Sequence, residues 1–132
     1  MENKAKKDIL IIDDNKDFLE IFSIKLGAAG FEVATAVGGA AGIESAKHKK
    51  FDLVLLDVEM PDMNGIETLA KLKEDSATAD LKVCFLTNYG EAGKEASWTD
   101  EKFAREAGAM DYIKKSENLS QVVEEVKKIL EK

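Results

Sequence analysis

Apolar residues fall into two alternating rhythms along the chain. Short unbroken runs, of which Ile9-Leu10-Ile11-Ile12 and Leu53-Val54-Leu55-Leu56 are the clearest, are separated by stretches where apolar residues recur every three or four positions. A short continuous run rich in Val, Ile and Leu predicts a strand buried on both faces, and the longer period predicts an amphipathic helix. After a charged and loose segment 1–7, the first strand ends in Asp13-Asp14-Asn15. Phe18, Leu19, Phe22 and Leu26 then mark a helix face, and Gly27 or Gly30 supplies its stop. A short strand over 31–36 leads through Gly38-Gly39 into an Ala-rich helix with Ile43 and Ala46 inward.

The third strand stops abruptly at Asp57, before Met60-Pro61 and the turn pair Asn64-Gly65. Ile66, Leu69, Ala70 and Leu72 mark the next helix, and 82–86 the fourth strand, which stops at Thr87-Asn88-Tyr89-Gly90. Thr99 is the expected N-cap of a helix carrying Phe103, Ala104 and Ala107 and closed by Gly108. A fifth strand over 110–113 precedes Lys114-Lys115-Ser116. The last helix has the cleanest stripe (Leu119, Val122, Val123, Val126, Ile129, Leu130), and Asn118 with Gln121 resembles a capping box.

Five alternations of strand and helix imply right-handed βαβ units and a doubly wound parallel sheet. The expected fold is α/β, flavodoxin-like (βα)5, with strand order 2-1-3-4-5 and one domain over residues 1–132. In that order strands 1 and 3 lie side by side, and ligands bind beyond the carboxyl ends of strands at such a switch point. Asp13, Asp14 and Asp57 therefore share one rim.

Composition narrows the function. A net charge of −7 argues against general nucleic-acid binding, whose phosphates would repel the protein. The short run Lys47-His48-Lys49-Lys50 reads as a solvated helix end. A single cysteine, Cys84, lies inside an apolar run, so it reads as a buried structural thiol, and with a single histidine it leaves no usual zinc site. No stretch has membrane-spanning length and the polar start is unlike a signal peptide, so a cytoplasmic protein is expected.

Three carboxylates at one rim repel one another by roughly 4 kcal/mol per pair at 4 Å and an effective dielectric near 20. A fold tolerates this if a hard cation sits among them or if one group stays protonated. Oxygen ligands without His or Cys point to Mg²⁺ or Mn²⁺. Thr87 adds a hydroxyl and Lys115 an ammonium at neighbouring strand ends. Together they suit a carboxylate nucleophile attacking a phosphoryl group, whose equatorial oxygens need positive charge and donors.

The motifs Ile11-Ile12-Asp13-Asp14, Leu56-Asp57-Val58-Glu59-Met60-Pro61-Asp62-Met63-Asn64-Gly65, Leu86-Thr87 and 107–115 (AGAMDYIKK) occur in order over nearly the whole chain. In this the chain resembles the receiver domain of two-component response regulators. The resemblance implies phosphorylation of Asp57 by a sensor histidine kinase, a phosphotransfer protein or a small phosphodonor. It implies that Asp14, Asp57 and the Glu59 main-chain carbonyl ligate Mg²⁺, with Asp13 acting through water. Thr87 and Lys115 would contact the phosphoryl oxygens. Lys115 is preferred to Lys114 because the family lysine stands three residues beyond the aromatic, here Tyr112. Tyr112 would act with Thr87 as a switch, coupling Asp57 to the surface of the fourth helix, fifth strand and last helix. A downstream protein is the implied target, and the expected state is a monomer or a weak phosphorylation-linked dimer.

Three features depart from the pattern. Ser116 replaces a proline whose preceding bond is often cis, so a trans Lys115-Ser116 bond is expected. Glu59, Asn88 and Tyr89 lie where side chains steer attacking water. The stretch from Thr87 to Tyr112 is longer than typical by several residues around 91–98, and Trp98 there is read as packing or as a partner anchor. The leading expectation is a stand-alone phosphoacceptor without an output domain, not an enzyme acting on an external substrate. Its competitors are a degenerate docking module, an aspartate-nucleophile phosphatase and a flavodoxin-like electron carrier. The phosphatase lacks the Asp it needs two residues after its nucleophile, where Asn15 stands, and rim carboxylates disfavour a flavin phosphate.

Overall fold

The computed structural model describes residues 6–87, 108–116 and 118–131. Five strands, β1 (Asp8–Asp13), β2 (Glu32–Val37), β3 (Leu53–Asp57), β4 (Val83–Thr87) and β5 (Asp111–Lys114), form one sheet in the order β2-β1-β3-β4-β5. Every ladder is parallel. Among the described residues the helices are α1 (Lys16–Ala28), α2 (Gly39–His48), α3 (Gly65–Glu74) and α4 (Leu119–Leu130). The expected flavodoxin-like order is the observed one.

Alternation along the strands splits the core into two layers, because successive side chains leave a strand on opposite faces. Ile9, Ile11, Leu53, Leu55, Cys84, Leu86 and Ile113 pack against Leu19, Phe22 and Leu26 of α1 and against Val122, Val123 and Val126 of α4. Leu10, Ile12, Val54, Leu56, Val83 and Phe85 face the other way, onto Ala46 of α2 and Leu69 and Leu72 of α3. β1, β3 and β4 are thus apolar at every step, which is why they read as unbroken runs.

Local chemistry sets the boundaries. α1 ends in a Schellman motif: Phe31 N–H donates to the Leu26 carbonyl (3.2 Å) and Gly30 N–H to that of Gly27 (3.0 Å). Gly30, not Gly27, supplies the left-handed residue, with φ +103°. Phe31 is spent on this turn, so β2 pairs from Glu32 and not from Phe31. β4 and β5 likewise start one residue later than expected, although the Lys82 carbonyl accepts from Val54 N–H and Met110 N–H donates to the Val83 carbonyl, so each flank is still bonded.

Asn64-Gly65, expected to be a free turn, opens α3. Asn64 and Glu67 form a complete capping box. At Asn118 only half of the expected box exists: its side chain accepts from Gln121 N–H, while its own N–H donates to Ser116 Oγ at 3.0 Å. No cis peptide occurs among the described residues, so the Lys115-Ser116 bond is trans as expected. The expected helix from Thr99, the segment 91–98 with Trp98, and Asn88 and Tyr89 lie outside the described residues.

Candidate functional site

β1 and β3 run side by side through Ile12↔Leu56, so the next residue of each, Asp13 and Asp57, emerges at the same edge. Asp13 is fully buried and Asp57 is 5 % exposed, whereas Asp14 stands in solvent. One oxygen from each of the three lies within 4.8 Å of the others. The turn after Asp57 is held by main-chain bonds from Val58 N–H to the Leu86 carbonyl (3.1 Å) and from Gly65 N–H to the Val58 carbonyl (2.8 Å). Gly65 is required there. A Cβ would collide with the Asp57 carbonyl oxygen and come within 2.8 Å of Val58 Cα.

β5 brings the cation. Lys115 N–H donates to the Thr87 carbonyl at 2.7 Å, which fixes the residue against the end of β4. Its side chain, 13 % exposed, reaches back over the edge, with Nζ 2.7 Å from Asp13 Oδ2 and 3.7 Å from Asp57 Oδ1. The Asp13 contact pairs charges without hydrogen-bond alignment, and Asp13 Oδ2 is a buried oxygen with no hydrogen-bond partner among the described residues. Asp13 Oδ1 accepts from Asn15 N–H at 3.0 Å. Lys114 is exposed. Lys115, the one of the two that the sequence favoured, is the one at the carboxylates.

Burial pushes the Asp57 carboxyl up to about 7. Lys115 opposes the rise, and the negative charges of Asp13, Asp14 and Glu59 add to it. A single ammonium among these carboxylates leaves the cluster electron-rich. The donor set consists of hard oxygens, one of them buried without a hydrogen-bond partner, and this fits a small divalent cation such as Mg²⁺ or Mn²⁺.

The remaining residues lie nearby in register. Thr87, 3 % exposed, ends β4 one step beyond Leu86, the partner of Asp57. Tyr112 pairs with Phe85 and is half-buried against the α2/α3 layer. By alternation Thr87 shares that layer with Phe85 and Tyr112. Asp13, Asp57 and Lys115 instead follow the parity of the α1/α4 layer. Glu59 is exposed, two residues beyond Asp57. Two neighbours escaped the sequence reading. Asn15 caps α1 by accepting from Phe18 N–H (3.0 Å), a pattern that its position before the helical rhythm could have signalled. Phe18, read only as a core residue, lies with its ring centroid 4.4 Å from Lys115 Nζ, and periodicity carries no sign of that.

The fold and this edge define a doubly wound α/β domain whose switch point holds a carboxylate cluster and a lysine. The chain belongs to the response regulator receiver domain family, whose sequence model matches residues 9–127. Transcriptional regulatory protein PrrA of Mycobacterium tuberculosis is 35% identical over 122 residues, which cover 92% of this chain and 49% of PrrA. The chain thus spans about half the length of that relative. Polar-differentiation response regulator DivK of Brucella anthropi is 27% identical, with 94% of this chain and 96% of DivK covered. Among solved structures, a CheY-like receiver domain protein of Methanospirillum hungatei superposes with a TM-score of 0.80 at 30% identity, covering 96% of this chain and 95% of that one. Response regulator TrrA of Thermotoga maritima, solved in complex with Mg²⁺ and BeF, gives 0.73 at 31% identity, with 93% of this chain and 98% of that one covered. Receiver domains are signalling domains that interact with histidine kinases or phosphotransfer proteins. No helix among the described residues is long and apolar enough to cross a membrane.

Proposed function

We propose that the protein is a phosphoacceptor switch whose acceptor is Asp57. One observation carries this reading: a buried carboxylate closes the central strand with a lysine and two further carboxylates gathered on it. An Asp57 oxygen attacks the phosphorus of a phosphohistidine or small acyl phosphate. The new O–P bond forms as the P–N or P–O bond to the donor breaks, and the leaving group keeps that electron pair. Lys115 swings from Asp13 to meet the charge on the phosphoryl oxygens, and the Thr87 hydroxyl donates to another of them. Asp14, Asp57 and the Glu59 carbonyl would hold Mg²⁺ or Mn²⁺, with Asp13 acting through water. When bound, the ion neutralises carboxylate charge and leaves positions for phosphoryl oxygens.

Attack needs ionised Asp57, which its burial opposes, so the cation and Lys115 also prepare the nucleophile. Phosphorylation adds charge and acceptor oxygens beside Thr87. Drawing Thr87 inward frees space in the layer it shares with Tyr112, and the ring follows, shifting the population of the surface to which β5 and α4 contribute. A downstream protein reads that surface.

The test is intact mass after incubation with acetyl phosphate, with and without Mg²⁺, for wild type and Asp57→Asn. A cation-dependent gain of one phosphoryl group, absent in the variant, is expected. Equal gain by Asp57→Asn would move the acceptor elsewhere. No gain by wild type would leave a docking module.

A further inference from the structure

We infer that Phe18 is a positioning residue for Lys115, an inference that rests on the phosphoacceptor reading of Asp57. Among the described residues, Lys115 Nζ lies 2.7 Å from Asp13 Oδ2, 3.7 Å from Asp57 Oδ1 and 4.4 Å from the Phe18 ring centroid. The third distance lies well inside the range at which a ring face attracts an ammonium, and the low exposure of this lysine strengthens the attraction by desolvation.

The ring is itself held in place. Phe18 stacks on Phe22, with centroids 5.2 Å apart and planes at 29°, and Phe22 is fully buried in the α1/α4 layer. Phe18 N–H is capped by Asn15 Oδ1, and Asn15 N–H donates to Asp13 Oδ1, the other oxygen of the carboxylate paired with Lys115. The contacts therefore close a loop running Asp13, Asn15, Phe18, Lys115 and back to Asp13. A ring face holds a cation without offering a localised lone pair. Lys115 can thus leave Asp13 for an arriving phosphoryl group while still lying over Phe18, whereas a carboxylate in that place would compete with the phosphoryl oxygens. The contact of Phe18 at the site is with Lys115, so its effect passes through the lysine.

The experiment follows the acetyl phosphate reaction of Asp57 by intact mass across donor concentration, for Phe18→Leu, Phe18→Tyr, Lys115→Met and the Phe18→Leu/Lys115→Met double variant. Phe18→Leu should lower the maximal rate about three- to tenfold, between the scales of an exposed and a desolvated cation–π contact, with half-saturation unchanged. Phe18→Tyr should retain the wild-type rate, and Phe18→Leu should cost nothing further once Lys115 is Met. A Phe18→Leu rate within twofold of wild type, or an equal loss in the Lys115→Met background, overturns the inference. If wild type itself takes no phosphate, the phosphoacceptor reading fails. A double-mutant cycle by urea unfolding of wild type, Phe18→Leu, Lys115→Met and the double variant then decides the contact, with a two- to fivefold coupling in the folding constant supporting it and additivity overturning it.

Discussion

Replacing Asp57 with Asn should stabilise the metal-free protein, and the gain should grow with pH. In the folded chain the carboxyl titrates near 7, against 3.8 for an unburied aspartate. Between these values the folded protein holds a proton that the unfolded chain has released. Stability therefore falls as pH rises from about 4 to 7 and is level on either side. Worked through, the ionised carboxylate costs at most about 4 kcal/mol at pH 8. Solvent reaching the crevice beside exposed Asp14 screens the charges, which brings the expected figure to about 2 kcal/mol. Asn keeps the shape without the charge. Urea unfolding of both proteins in chelator, from pH 5 to pH 8, should show the variant pulling ahead across that interval, and saturating Mg²⁺ should close the gap. A difference that is constant or shrinks with pH would mean that burial does not hold Asp57 neutral, and the account of the crevice would be wrong.

Other outcomes follow from the same geometry. Gly65→Ala should destabilise by about 1–3 kcal/mol, the usual cost of overpacking, and should slow acetyl phosphate labelling, because the new Cβ displaces the Asp57 carbonyl; thermal unfolding and intact mass read the two effects. Mg²⁺ at a hundredfold excess over its dissociation constant should stabilise wild type by about 2.7 kcal/mol, and Asp14→Asn should need a higher concentration for the same rise in Tm.

What the sequence revealed and what it hid follow from the range of the forces involved. β1 and β3 were legible because a strand buried on both faces must be apolar at each step, and topology then brings Asp13 to Asp57 without any side-chain detail. Lys115 could be placed near them by its position past β5. Its preference for Asp13 at 2.7 Å over Asp57 at 3.7 Å depends on three-dimensional reach, and no spacing rule contains that. Asn64-Gly65 looked like a turn because both residues favour one. Only the pairing with Glu67, together with the tight passage of Gly65 past Asp57, makes it the start of α3. The capping box at Asn118 was half right because a serine two residues upstream competes for the same N–H.

The opposite parity of the strand ends has a consequence of its own. By alternation Asp13, Asp57 and Lys115 follow the parity of the α1/α4 layer, while Thr87 follows that of Phe85 and Tyr112, which pack in the α2/α3 layer. On the proposed function, Thr87 is then a phosphoryl contact rooted in the opposite face of the sheet from Asp57 and Lys115, and it carries the event across the sheet to Tyr112. A change at Thr87 would therefore alter how the charge is held and what is reported together, whereas a change at Tyr112 could redraw the message and leave the charge to arrive as before.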